Sequence, residues 1–372
     1  MPSQPLILAI AGRAALLVLL MTPAACGQQD TFPSDRLRPA AAPVELPAVL
    51  RITNPSGPVI TPDQAAAVVR AFWPLDEQAK ATNDQRLTDM LETGPAAEFD
   101  DAVTVDNLQR PNLPNLRVVR PMDGVEVFLP PQTSFPAYFL ADVLTTVYGT
   151  SPQGDRPGTV MVDVFVFWRS DAKSTWRVAL HSFGPTRLGV ITNPTASPYL
   201  PALPGRRDLS ADPKTVPALL ADYWQRYYVT GTPPQSVFAA GRWTTEKMEA
   251  LVQEMRQFAA RTGIQEQTEY FVDLKRDGLY EFTVNGGWDL TCFTVRYSAV
   301  QTRPGRPLHQ DPGRSNYAAS LAPGDYQRIS ISGLRQTCAW VPPAGYQGAG
   351  VLVMGHEGGD VLTSGIPVGV SG

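Results

Sequence analysis

One histidine stands where it could move a proton. His181, in "VALHSFG", lies near the end of a strand-like stretch. Imidazole is the usual general acid or base at neutral pH. Spacing fixes no nucleophile or carboxylate beside it, so a half-buried strand histidine is the plainer reading. His356-Glu357, in "VMGHEGGD", lacks the second histidine of HExxH, the spacing that sets two imidazoles around zinc on one helix face. Its glycines read as a turn. "GYQGAGVLVMG", from Gly345, has neither the spacing nor the strand-then-helix setting of a dinucleotide loop, and no GxSxG elbow or P-loop occurs. Three scattered histidines (His181, His309, His356) and the cysteines make no zinc spacing. The residues name no metal, no cofactor and no catalytic group beyond the one candidate, His181.

The three cysteines divide by position. Cys26 follows "AALLVLLMTPAA", where an apolar run ends in small residues, and Arg13 is the only charge before it. The run is too short to span a bilayer, which takes roughly 20 apolar residues. Residues 1–25 read as a signal peptide; an uncleaved anchor is the competing reading. The same text resembles a bacterial lipoprotein signal. Ala24 and Ala25 fit that pattern, while Pro23 stands where it usually has Leu. The resemblance implies lipid on Cys26; a plain secretory signal would leave Cys26 incidental. Export leaves Cys292 and Cys338 as one possible disulfide, the alternative being two free buried thiols.

The elements that must position these groups follow a repeated order. Residues 26–58 are Pro- and Ala-rich and read as a semi-rigid tether. From Thr61 a capping box with Gln64 and Pro62 at the first position opens a helix, which Pro74 should kink near Trp73. "DQRLTDMLETG" is a second helix stopped by Gly94, and "PAAEFDDAVTVDNL" continues helically. The period then becomes two: "RVVRPMDGVEVFLP", "FPAYFLADVLTTVYG", "VMVDVFVFW" and "TWRVALHSF" are strands, the last two joined by a polar turn. After a Pro-rich linker the order restarts. Helices "VPALLADYWQRYYVTG" and "TTEKMEALVQEMRQFAARTG" precede strands, with hairpin signals at Asp277-Gly278 and Asn285-Gly286. The expected fold class is α+β: two domains, each with N-terminal helices packed on a curved antiparallel sheet. The boundaries are 1–25 signal peptide, 26–58 tether, 59–190 first domain, 191–212 linker and 213–372 second domain.

Helices followed by a curved antiparallel sheet resemble the nuclear-transport-factor-2-like (cystatin-like) α+β class. The phrases "ITPDQAAAVVRAFW" and "LLADYWQ…TGTPPQSVFAAGRWTT…FTVNGGWDLTCF…LAPGDYQRI" resemble an uncharacterised family of exported proteins and lipoproteins from high-GC Gram-positive bacteria. That resemblance covers most of residues 60–365 and implies no activity.

Function is therefore read from address and composition. With 31 Lys plus Arg against 35 Asp plus Glu, the chain lacks the basic excess of nucleic-acid binders. Hydrophobic residues at 43% suffice for a real core. Trp73, Tyr223, Tyr227 and Trp288 are candidates to line an apolar pocket, or are the core joining helix to sheet. The basic insertion "RPGRPLHQDPGR", residues 303–314, could touch an anionic surface, or is a solvated loop. The expectation is an exported cell-envelope lipoprotein, anchored to the outer face of the membrane through Cys26, or secreted if Cys26 is unmodified. It would bind a small apolar ligand or an envelope partner without catalysis. Two alternatives stand beside it: a hydrolase- or isomerase-like enzyme using a cone-shaped pocket, and a purely structural interaction module.

Overall fold

The computed structural model describes residues 45–54, 57–109, 120–147, 150–151, 154–155, 159–185, 211–283, 287–310, 321, 324–346 and 350–368. Cys26, the signal peptide and nearly all of the linker lie outside them.

The first half opens with helix α1 (Pro62–Thr82). Thr61 accepts from the Gln64 amide while the Gln64 side chain accepts from the Thr61 N–H, so the expected capping box forms. The helix runs on through Pro74 to a left-handed cap at Asn83. Asp84 caps α2 (Gln85–Leu91). Gly94 does not stop that helix: it sits at φ +58° between α2 and α3 (Gly94–Gln109), and begins the third helix. Strands β1 (Met122–Phe128), β2 (Ala137–Val147), β5 (Thr159–Arg169) and β6 (Arg177–Pro185) form an antiparallel sheet in the order β1-β2-β5-β6. The two-residue strands β3 (Thr150–Ser151) and β4 (Gly154–Asp155) pair with each other.

The second half restarts with α4 (Val216–Thr230) and α5 (Lys247–Thr262), capped by Gly231 and Gly263 in the left-handed region. Its sheet is built on β9 (Asp289–Thr302). On one edge β9 pairs with β7 (Gln265–Phe271) and β8 (Leu279–Thr283), and on the other with β11 (Gly324–Val341). Strands β10 (Leu308–Gln310) and β12 (Leu352–Pro367) complete it. Asp277-Gly278 is not a hairpin. It ends a single helical turn, α6 (Leu274–Asp277), because β7 and β8 both pair with β9 and not with each other. Asn285 and Gly286 lie outside the described residues. The glycines around His356 are no turn either, since Gly355 to Gly359 run within β12 opposite β11.

Alternation shows how the layers stack. Phe139, Ala141, Val143, Phe165 and Phe167 of the first sheet face the core under α1. Their neighbours Leu140, Val164 and Val166 face a different core, shared with Leu290, Cys292, Cys338 and Trp340 of the second sheet. Phe293, Val295, Ala339 and Val341 then face α4 and α5. The layers run helix, sheet, sheet, helix. An isolated amphipathic strand shows one apolar face; these show two.

The Cys292–Cys338 disulfide is present, joining directly opposed residues of β9 and β11. Both cysteines are fully buried in the core between the sheets. The bond closes a loop of 46 residues, worth about 4 kcal/mol in the loop-entropy picture. Replacing both cysteines by Ala should therefore lower unfolding free energy by about 2–5 kcal/mol, read by urea titration of both forms. No change would mean that the sheet pair does not depend on the bond.

Candidate functional site

His181 meets the carboxylate that spacing could not place. Its Nε2 is 3.0 Å from Asp163 Oδ1. The two residues come from adjacent strands β6 and β5, on the face that α1 covers. Period two decides this: Asp163 shares its face with Phe165 and Phe167, and the imidazole stacks on Phe165 with centroids 4.4 Å apart. Arg120 closes the other side of Asp163, donating to both oxygens at 3.1 and 2.8 Å, and Thr145 donates at 3.1 Å. Arg120 is itself held by Glu77 of α1, through its backbone N–H at 2.7 Å and its guanidinium at 3.3 Å. It also lies 5.1 Å over the Trp73 ring.

The electrostatics follow from those bonds. Burial pushes Asp163 up, but the His181 hydrogen bond and the Arg120 charge outweigh it and hold the carboxyl at about 2. An ionised Asp163 only accepts, so Nε2 carries the proton it shares. The arrangement is an oriented, charge-balanced imidazole. Such an imidazole can serve as an acid–base group only where a substrate reaches it, and the His181 side chain is 12% exposed.

On the opposite face of the same sheet stands a carboxyl of the other kind. Asp142 is 4% exposed, and among the described residues no side chain bonds it. Glu126 lies directly across on β1. Burial first, then the charges of Glu126 and Asp163, push Asp142 up to about 7. A similar pair lies under α4: Glu266, tied to the Tyr228 hydroxyl at 2.5 Å, and Asp360, tied to Tyr297. Burial raises them to about 8 and about 6.

Among the described residues, Asp76, Glu92 and Asp100 form the acidic group that could hold a metal, with ligand atoms within 4.8 Å of one another. The Lys80 ammonium already sits among them, at 2.9 Å from Asp76, 3.0 Å from Asp100 and 3.7 Å from Glu92, so a metal ion would have to displace it. The sequence reading missed this cluster; the i, i+4 step from Asp76 to Lys80 was its visible part.

The aromatic candidates separate. Trp73 belongs to the core under α1, Tyr223 and Tyr227 to the core under α4, and Trp288 to the core between the sheets. All four are at most 4% exposed, and they do not converge on one pocket. Of the basic insertion, Leu308 is buried and residues 311–314 lie outside the described set.

With the geometry in hand, the comparison with known proteins adds one result. The family known as DUF8094, a domain of unknown function, matches residues 56–361. The chain belongs to this family. No curated protein and no solved structure matches it. The match spans α1 to α6 and the His181–Asp163–Arg120 centre, and ends within β12, whose last residues lie beyond it.

Two pH dependences follow. Asp163 is depressed, so its stabilisation is present above the unfolded value near 3.8 and is lost as pH falls through about 2. Asp142 is raised, so the native state keeps a proton that the unfolded chain gives up, and stability declines as pH rises from about 3.8 to about 7. Asp142→Asn should flatten that second slope in melts at pH 4, 5.5 and 7. Asp163→Asn should cost about 1.5–3 kcal/mol, because Arg120 and His181 lose their charged acceptor while Arg120 keeps Glu77. An unchanged slope in Asp142→Asn would show that its carboxyl ionises normally.

Proposed function

We propose that this chain is a cell-envelope protein that works by binding, with no chemistry at His181. One observation carries this reading: the Asp163 carboxylate beside His181 is already taken up by Arg120 and Thr145, inside a helix–sheet layer filled by buried aromatic side chains. A general base needs a route to its substrate; here the imidazole face lies on Phe165. Its function is then to tie β6 to β5 and, through Asp163, Arg120 and Glu77, to α1. The two halves, each repeating helices and then a sheet in the manner of nuclear-transport-factor-2-like domains, would act as one rigid body. Filled layers favour a partner that docks on the surface over a small apolar ligand in a cone.

The same proposal places the protein outside the cell. Residues 1–25 direct export, lipid on Cys26 holds the chain to the outer face of the membrane, and residues 26–58 lift the body away. Among the described residues no helix is long and apolar enough to cross a membrane. The competing enzyme reading has the 3.0 Å His181–Asp163 contact in its favour.

Two experiments test this. Denaturing intact mass spectrometry of the chain extracted from its own membranes should show Cys26 plus diacylglycerol and acyl chains; an unmodified mature mass would sink the anchor. For the site, His181→Gln should lower stability by about 1–3 kcal/mol while leaving partner capture by the refolded chain unchanged. If His181→Gln kept its stability but abolished the function of the chain in cells, the enzyme reading would replace this one.

A further inference from the structure

The buried group of Asp76, Lys80, Glu92 and Asp100 holds more than an ion pair needs. One carboxylate would balance the Lys80 ammonium. Three surround it, at 2.9 Å for Asp76, 3.0 Å for Asp100 and 3.7 Å for Glu92. Asp76 and Lys80 are one turn apart on α1, Glu92 follows α2, and Asp100 belongs to α3. All three carboxyls are buried, Glu92 to 2% exposure. The frame around them is held from outside the group. Glu92 bridges Val178 of β6, and the next residue, Thr93, donates to the Val178 carbonyl at 2.8 Å. Asn107 of α3 donates to Asn83, at the end of α1, at 3.0 Å.

Each member has the property that a condensation needs. Lys80 Nζ becomes a nucleophile once it loses a proton, and Asp76 is bonded to it and can take that proton. The carboxyl carbon of Asp100 lies one bond beyond Oδ2, close to the roughly 3–3.5 Å separation from which reacting atoms attack. Glu92 is the proton carrier. Burial first, then the Asp100 charge, push its carboxyl well above the ordinary range, against the pull of Lys80. Protonated, it hydrogen-bonds to Asp100. Its Oε2 is buried and takes no hydrogen bond among the described residues.

We propose that Lys80 and Asp100 join in an intramolecular isopeptide bond, with Asp76 as the base and Glu92 as the acid. Lys80 first gives one proton to Asp76. The amine nitrogen then attacks Cγ of Asp100, forming the C–N bond, while Glu92 hands its proton to an Asp100 oxygen. A second nitrogen proton passes to Glu92 and on to that same oxygen. The C–O bond breaks, water leaves, and an amide with one N–H remains. Nothing is oxidised or reduced, and no co-reactant enters. Asp100 is the acceptor, and not Asp76, because Glu92 bonds Asp100. The product replaces a buried ion pair, whose desolvation is costly, by a neutral group, and it staples α1 to α3. This inference does not depend on the binding role proposed above.

Tryptic digestion of the reduced full chain, read by tandem mass spectrometry, tests it. The peptides carrying Lys80 and Asp100 should appear as one branched species, lighter by one water than their sum and uncut after Lys80. Glu92→Gln, checked for folding by circular dichroism, should form the bond about a hundredfold more slowly. Separate linear peptides from the unaltered chain would overturn the proposal, and that result needs no variant to fold. A water lost between Lys80 and Asp76 would overturn the choice of Asp100. A Glu92→Gln chain that cross-links at the normal rate would overturn the role of Glu92.

Discussion

The contact of one sheet on the other is what the rest of the molecule depends on. Strands β2, β5, β9 and β11 carry apolar side chains on both faces, and a helix can cover only one. Leu140, Val164 and Val166 find their cover in Cys292, Cys338 and Trp340. At about 1.5–3 kcal/mol for each fully buried large side chain, neither sheet could leave this face in water. An ionic clasp fixes the docking at one end. Arg296 of β9 is bonded by Asp277 and by Glu98 of α3 at 2.7–3.0 Å. Burial pushes the Glu98 carboxyl up, but hydrogen bonds from Arg296 outweigh that and hold it below the ordinary range. Removing one partner from such a buried set leaves an uncompensated charge, which is far more damaging than the net worth of the contact.

Around that contact the polar groups sort by layer. Asp163 lies under α1 with Arg120 and His181, and ionises readily. Asp142, on the same sheet but the opposite face, meets no cation among the described residues and holds its proton instead. A shift between two side chains near in sequence on adjacent strands thus follows from which face each takes, with the pleat as the deciding variable. Glu266 and Asp360, which among the described residues take hydrogen bonds from neutral hydroxyls, are raised chiefly by burial, which for Asp360 outweighs the nearby Arg335 charge, whereas Glu98 is bonded to two arginines.

Much of the element order could be read from the residues. Thr61, Pro62 and Gln64 marked the start of α1, Gly231 and Gly263 the ends of α4 and α5, and alternation marked the strands. The errors share a cause. Gly94 and Asp277-Gly278 carry local signals that admit two outcomes, a stop or a start and a hairpin or a helical turn, and long-range pairing with β9 decided the second of them. The site was less legible. His181 was visible, but its partner Asp163 lies 18 positions away on the neighbouring strand, and Arg120, which holds Asp163 from the other side, lies ahead of β1 and is placed by Glu77 of α1. The aromatic residues showed their helical spacing plainly. That spacing could not say which of three cores each would enter, since an apolar stripe looks the same whether it closes on a packed sheet or on a cavity.

One neighbour relation reaches further than its size. Helix α3 belongs to the first third of the chain, yet its Phe99 rests against Gly359 of the last strand, β12, where a Cβ would come within 3.3 Å of the ring. The helix cannot reach its final seat until the C-terminal strand has been made and laid down. That surface of α3 stays bare until β12 is in place, so a chain clipped ahead of Gly359 would leave Phe99 of the first half uncovered although every residue of that half is present.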